Sequence, residues 1–167
     1  EVFAHAAAPY GKPAFDIEEV TVDGVAQPVT EAIVMHRPWG NLLHFSHPGL
    51  AADAPRLLIV APMSGHFATL LRGTVERMVE NAHVFITDWA DARMVPLAQG
   101  DFDLDDYIDY LIAFLEHVGP GAHMLAVCQP SVPALAATAI MADTKHPCRP
   151  LTLTMMGGPI DTREAPT

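Results

Sequence analysis

Basic residues are scarce in this chain: nine Lys and Arg stand against 20 Asp and Glu, a formal net charge of −11. Nucleic acid is excluded as a partner, because binding it takes clustered Lys and Arg to neutralise phosphates. Cysteine is scarcer still, with only Cys128 and Cys148 and no CxxC spacing. That count argues against a disulfide-stapled secreted scaffold and for a reducing cytoplasm, with a Cys128–Cys148 bridge as the minor alternative. Long apolar runs are missing too, since none approaches the roughly 20 residues that a membrane span needs. The first residues lack the basic and apolar regions of a secretory signal. What the chain does have is apolar substance: half of its 167 residues are hydrophobic, enough for one sizeable core.

The pattern of those apolar residues changes along the chain. Residues 1–16 are Ala-rich and then turn-like at Pro9-Tyr10-Gly11-Lys12-Pro13, which predicts an N-terminal arm. From Ile17 to Val34 two β-rich runs flank Asp23-Gly24, a hairpin signal, and Leu42-Leu-His-Phe45 offers a further short strand. Beyond Pro55 strands and helices alternate. The run Leu57-Leu-Ile-Val-Ala61 breaks at Pro62-Met-Ser-Gly-His66, and Phe67, Leu70, Leu71, Val75, Met78 and Val79 then recur at helical spacing. His83-Val-Phe-Ile-Thr87 reads as a strand followed by a long loop from Asp88 to Gly100, and an amphipathic helix follows over residues 104–118. A strand at 123–127, a small-residue helix at 131–141 and a last strand at 151–156 complete the series. Alternation of this length implies βαβ crossovers. The fold class is α/β, a mostly parallel sheet flanked by helices and preceded by an antiparallel hairpin, with both sheet faces buried under helices.

Chemistry concentrates where the strand His123–Val127 meets the helix at Ser131, with only Cys128, Gln129 and Pro130 between them. A sharp strand-to-helix turn of this kind exposes a nucleophile in the G-x-S-x-G arrangement and aims it at backbone N–H groups of the helix start. Here the frame reads Ala126-Val-Cys-Gln-Pro130. A thiol suits the position, because a helix N-terminus favours the thiolate. The same residues also fit a buried, inert cysteine. Acyl transfer further needs donors for the oxyanion; in such a fold these are the N–H after the nucleophile, here Gln129, and one from the loop at Met63-Ser64. Taken alone, Met63-Ser-Gly-His66 is an ordinary strand-to-helix turn. His66 is either a substrate contact or a plain helix-start histidine.

Other polar clusters carry less. Asp101-Phe-Asp-Leu-Asp-Asp106 has Asp106 where a calcium loop needs Gly, so its acids are expected as helix caps. The nine histidines are scattered, His44 and His47 being the only close pair, without HExxH or Cys partners. No metal and no cofactor are expected.

Longer strings then converge on a family. They are Ala61-Pro-Met-Ser-Gly-His66 with Thr69-Leu-Leu-Arg-Gly-Thr74, Ile86-Thr-Asp-Trp-Ala-Asp-Ala-Arg-Met-Val-Pro96, Phe102-Asp-Leu-Asp-Asp-Tyr-Ile-Asp-Tyr110, Ala126-Val-Cys-Gln-Pro-Ser-Val-Pro133 and Met156-Gly-Gly-Pro-Ile-Asp-Thr162. Together they make the chain resemble the intracellular polyhydroxyalkanoate (poly-3-hydroxybutyrate) depolymerases, α/β-hydrolases with a cysteine nucleophile. The resemblance implies a partial α/β-hydrolase fold over residues 17–167, ending after the strand that follows the nucleophile helix. It implies cleavage of a 3-hydroxyacyl ester through an acyl-thioester on Cys128, and an address on cytoplasmic storage granules. Family members are about twice this length, so the resemblance puts the catalytic Asp and His beyond Thr167. Asp161, after the last strand, is a lesser candidate for the acid.

Pro130 and Ala126 replace both glycines of the usual box, so the turn must form without their freedom. Two other readings stay open: a polyester synthase-like or CoA-dependent acyltransferase, and a non-catalytic granule-associated domain in which Cys128 is core filler. Exposed apolar surface is expected where later strands would pair, and with it a homo-oligomer.

Overall fold

The computed structural model describes residues 11–63, 67–161 and 163–164. It opens with strands β1 (Glu19–Val22) and β2 (Val25–Pro28), paired antiparallel as a sheet of their own. Asp23 and Gly24 between them both lie at positive φ, 50° and 79°, the geometry of a tight hairpin turn that matches strand twist. The second β-rich run does not continue as one strand. Pro28 has no N–H for a ladder, and the chain bends at Val29 before β3 (Thr30–Met35) joins the main sheet.

That sheet has six strands in the order β3-β4-β6-β5-β7-β8, with β4 at Gly40–Ser46, β5 at Arg56–Val60, β6 at His83–Trp89, β7 at Ala122–Val127 and β8 at Thr152–Met156. The four strands from β5 onward run parallel, and β3 and β4 are antiparallel. Both faces of the inner parallel strands β5, β6 and β7 are covered, so these strands are largely apolar without alternation. Leu58, Ile59, Val60 and Ala61 are all fully buried. Helices α2 (Leu104–Val118) and α3 (Ser131–Asp143) pack on one face through Leu111, Phe114, Leu115, Ala134 and Ala137. Helix α1 (Arg72–Val79) covers the other with Val75 and Val79, beside Phe15, Ile17 and Val20 of the N-terminal segment. This is the expected α/β class, a mostly parallel sheet flanked by helices and preceded by an antiparallel hairpin.

Local rules account for the element ends. Asp103 caps α2, accepting from the Asp105 and Asp106 N–H groups at 2.9 and 3.1 Å, while the Asp106 carboxylate accepts from the Asp103 N–H at 2.9 Å. This reciprocal box makes two of the acids, Asp103 and Asp106, caps. Strand β6 runs two residues further than expected, because Gly40 and Asn41 pair with Trp89 and Asp88. A Cβ on Gly40 would lie 2.8 Å from the Trp89 ring, so only glycine lets that ring lie against β4. Of the N-terminal arm, Phe15 is 2% exposed and packs edge-on to Phe45, Arg72 donates to its carbonyl at 2.6 Å, and Lys12 pairs with the buried Asp88.

The far edge of the sheet is less covered. Along β8 and the loops flanking it, Leu151, Met155, Met156 and Ile160 are exposed, as are Val132, Leu135 and Ile140 on the outer side of α3. The expected apolar edge is therefore present. Among the described residues no helix is long and apolar enough to cross a membrane.

Candidate active site

Strand β7 ends at Val127, and the chain reverses into α3 within three residues. Cys128 takes φ 67°, a left-handed conformation that costs a non-glycine residue about 1–2 kcal/mol. Three hydrogen bonds hold the strain. The Cys128 N–H donates to the Met156 carbonyl at 2.7 Å, the Ser131 N–H donates to the Cys128 carbonyl at 3.1 Å, and the Val132 N–H donates to the Gln129 carbonyl at 3.3 Å. The thiol is exposed, as is Gln129, while Pro130 behind them is buried. Cys148 lies elsewhere and both thiols are free.

The third side of the turn comes from the loop after β8. A Cβ on Gly158 would fall inside the space of the Ser131 side chain and 2.8 Å from the Cys128 carbonyl oxygen. Gly157 beside it has φ 64°. The two glycines missing from the box around Cys128 thus have a counterpart across the sheet, where β8 leaves room for the elbow. Ser131 Oγ is buried there without a hydrogen-bond partner among the described residues.

Strands β5 and β7 are neighbours, with Val60 opposite Ala126, so the loop after β5 arrives beside the elbow. The Met63 N–H points at the Gln129 side-chain oxygen, 3.5 Å away. Met63 and Gln129, proposed from sequence as oxyanion donors, are therefore brought together. Among the described residues the Gln129 N–H has no acceptor, whereas the next two N–H groups are turned back onto the elbow. Ser64 and His66 lie outside the described residues.

Two residues missed in the sequence brace the Met63 loop. Ala61 at its root gives its N–H to Thr87 Oγ1 at 2.9 Å, and its carbonyl accepts from Trp89 Nε1 at 2.8 Å. The signal was the string Thr87-Asp-Trp89, assigned to strand end and loop rather than to a brace. Asp161 is turned away to Arg163, whose hydrogen bonds hold its carboxyl below the usual carboxylate range. Among the described residues no side chain is hydrogen-bonded to the Cys128 thiol, and no group of three or more His, Cys, Asp or Glu is placed to hold a metal.

Comparison by sequence finds no matching family model and no matching curated protein. Comparison by structure finds hydrolases. A candidate lipase from Acinetobacter baumannii AYE superposes with a TM-score of 0.56 at 19% identity, over 84% of this chain and 44% of that one. A bacterial membrane phospholipase A gives 0.57 at 18% identity, over 78% and 40%. The 2-hydroxy-6-oxo-6-phenylhexa-2,4-dienoate hydrolase of Rhodococcus sp. strain RHA1 gives 0.56 at 13% identity, over 79% and 47%. The chain thus shares their α/β fold and spans less than half the length of each.

Proposed function

We propose that the chain carries the nucleophile of a carboxylic ester hydrolase acting on intracellular poly(3-hydroxybutyrate) or a related polyhydroxyalkanoate, with Cys128 as that nucleophile. One observation supports the catalytic thiol above the rest: Cys128 is exposed, at positive φ, on a turn held by three backbone hydrogen bonds. A cysteine serving as core filler would be buried and relaxed. The polyester substrate rests on the resemblance of the strings around residues 61–74, 86–96, 102–110, 126–133 and 156–162.

In the proposed reaction the Cys128 thiolate adds to the ester carbonyl carbon, and the carbonyl oxygen takes up the negative charge. The Gln129 and Met63 N–H groups, with Ser64 following, stabilise that oxyanion, a contribution of about 3–4 kcal/mol per donor in comparable sites. In the free protein the Gln129 side-chain oxygen occupies the Met63 donor at 3.5 Å, a long bond that a substrate carbonyl oxygen readily displaces. Collapse of the intermediate breaks the C–O bond. The alkoxide leaves with a proton, the acyl group stays on sulfur, and attack by water releases the acid and restores the thiol. Deacylation at speed needs a general base, in the proposal a histidine outside these 167 residues, and His66 is assigned to substrate contact. The apolar surface along β8 and α3 is suited to a granule or to a second copy.

The test is intact mass after incubation with a short 3-hydroxybutyryl thioester or activated ester, on the parent and on Cys128→Ala. A single acyl adduct confined to the parent is expected. An adduct equal in both proteins, or none in either, refutes the nucleophile and leaves Cys128 a non-catalytic residue. Transfer of the acyl group to CoA in preference to water would redirect the proposal to an acyltransferase.

A further inference from the structure

Met63 lies just past the end of β5, and the side chains that fix the backbone leading to it come from β6. The β5–β6 ladder stops at Ile59 opposite Ile86, two residues short of Ala61. From there Thr87 and Trp89, alternate residues on one face of β6, take over. Thr87 Oγ1 accepts from the Ala61 N–H at 2.9 Å, and Trp89 Nε1 donates to the Ala61 carbonyl at 2.8 Å, both bonds buried. Neither side chain has room to move. Thr87 is fully buried, and the Trp89 ring lies against Gly40 on β4 and edge-on to the Tyr107 ring on α2, centroids 4.6 Å apart.

Pro62 passes that rigidity on to Met63. The peptide plane that contains the Ala61 carbonyl also contains the Pro62 nitrogen, so the bond from Trp89 orients both. Ala61, as the residue before a proline, is confined to extended backbone, and the pyrrolidine ring locks Pro62 φ. Only Pro62 ψ stays soft before the peptide plane that carries the Met63 N–H. We propose that Thr87 and Trp89 are positioning residues for the acylation of Cys128: by holding both polar groups of Ala61 they aim the Met63 N–H at the point where the ester carbonyl oxygen becomes an oxyanion. The inference rests on the reading of Cys128 as nucleophile and Met63 as donor. Gln129 Oε1, 3.5 Å from that N–H in the free protein, shows that it is directed at the elbow. Loss of a whole oxyanion donor costs about 10²–10³ in rate, and a donor left in place but misaimed forfeits part of that.

The experiment compares two reactions of the same thiol on the full chain. Acylation by a short activated 3-hydroxybutyryl ester passes through an oxyanion, whereas alkylation by iodoacetamide displaces iodide from a saturated carbon and forms none; both need the thiolate. Thr87→Val and Trp89→Phe each remove one of the two bonds to Ala61. In each, acylation of Cys128 followed by intact mass is expected to slow by at least about tenfold, while alkylation stays within about twofold of the parent. Thr87→Ser, which keeps the hydroxyl, is expected to regain most of the acylation rate. Either of the two deletions decides the matter where the other fails to fold. Acylation at the parental rate overturns the proposal, and so does an equal fall in both reactions or a Thr87→Ser as slow as Thr87→Val. A parent that takes no adduct on Cys128 overturns the nucleophile and this proposal together, and is told apart because the parent itself fails to react.

Discussion

Replacing Gly158 with alanine probes how the elbow is held. The added Cβ would fall within the volume of Ser131 Cβ and Oγ and 2.8 Å from the Cys128 carbonyl oxygen. Ser131 Oγ can rotate aside, but Ser131 Cβ and the Cys128 carbonyl belong to the turn and cannot. The loop after β8 or the elbow itself must therefore shift. Overpacking of this kind costs about 1–3 kcal/mol, and the bond from the Cys128 N–H to the Met156 carbonyl is the one most directly strained. Urea unfolding of Gly158→Ala is expected to show that loss, and alkylation of Cys128 by iodoacetamide to change rate in the same variant. Ser131→Gly removes the first obstacle, so the double variant is expected to recover part of the loss, a coupling of about 1 kcal/mol. If Gly158→Ala stays within about 0.5 kcal/mol of the parent and its thiol reacts at the parental rate, the three-sided support of the elbow is wrong.

Trp89→Phe removes the donor to the buried Ala61 carbonyl and is expected to cost about 1–3 kcal/mol in urea unfolding; no change would show that the brace contributes nothing. His44 is held below the usual imidazole range, first by burial and then by His83 and His117. The unfolded chain therefore binds more protons below about pH 6.5, and stability falls as pH drops through that value towards the lower folded pKa. Melting of His44→Gln is expected to lose less between about pH 7 and pH 5.5 than the parent, and an identical pH slope would contradict this account. Asp103→Ala removes both cap bonds at the start of α2 and is expected to cost about 1 kcal/mol by chemical denaturation; an unchanged midpoint would mean that the cap is redundant.

Particular elements show why parts of the fold were legible. The run at 104–118, its acids and its closing glycine gave α2 nearly to the residue, since periodicity, cap and stop signal agree there. Local agreement failed at Val25–Val34, where two strands of different sheets share one β-rich run and only Pro28 marked the join. It failed again at Asp88-Trp89, polar and bulky enough to suggest a loop, because Gly40 on another strand supplies the space that keeps them in β6. Of the site, Cys128 and its place between strand and helix were readable, and so was the neighbourhood of Met63 and Gln129. The contributions of Gly158, Trp89 and Thr87 were not.

The sequence by itself determined the order of strands and helices, the burial of both faces of the inner parallel strands and the position of the thiol at a strand-to-helix junction. Each of these is written in periods of two to four residues or in one local turn, where neighbouring residues decide the free energy. The tertiary structure alone decided that Cys128 adopts a left-handed conformation, that a glycine 30 residues away leaves room for it, and that His44 meets His83 across strands rather than its sequence neighbour His47. Those are contacts between segments that the chain brings together only after the sheet has set its register, and no local pattern encodes their distances.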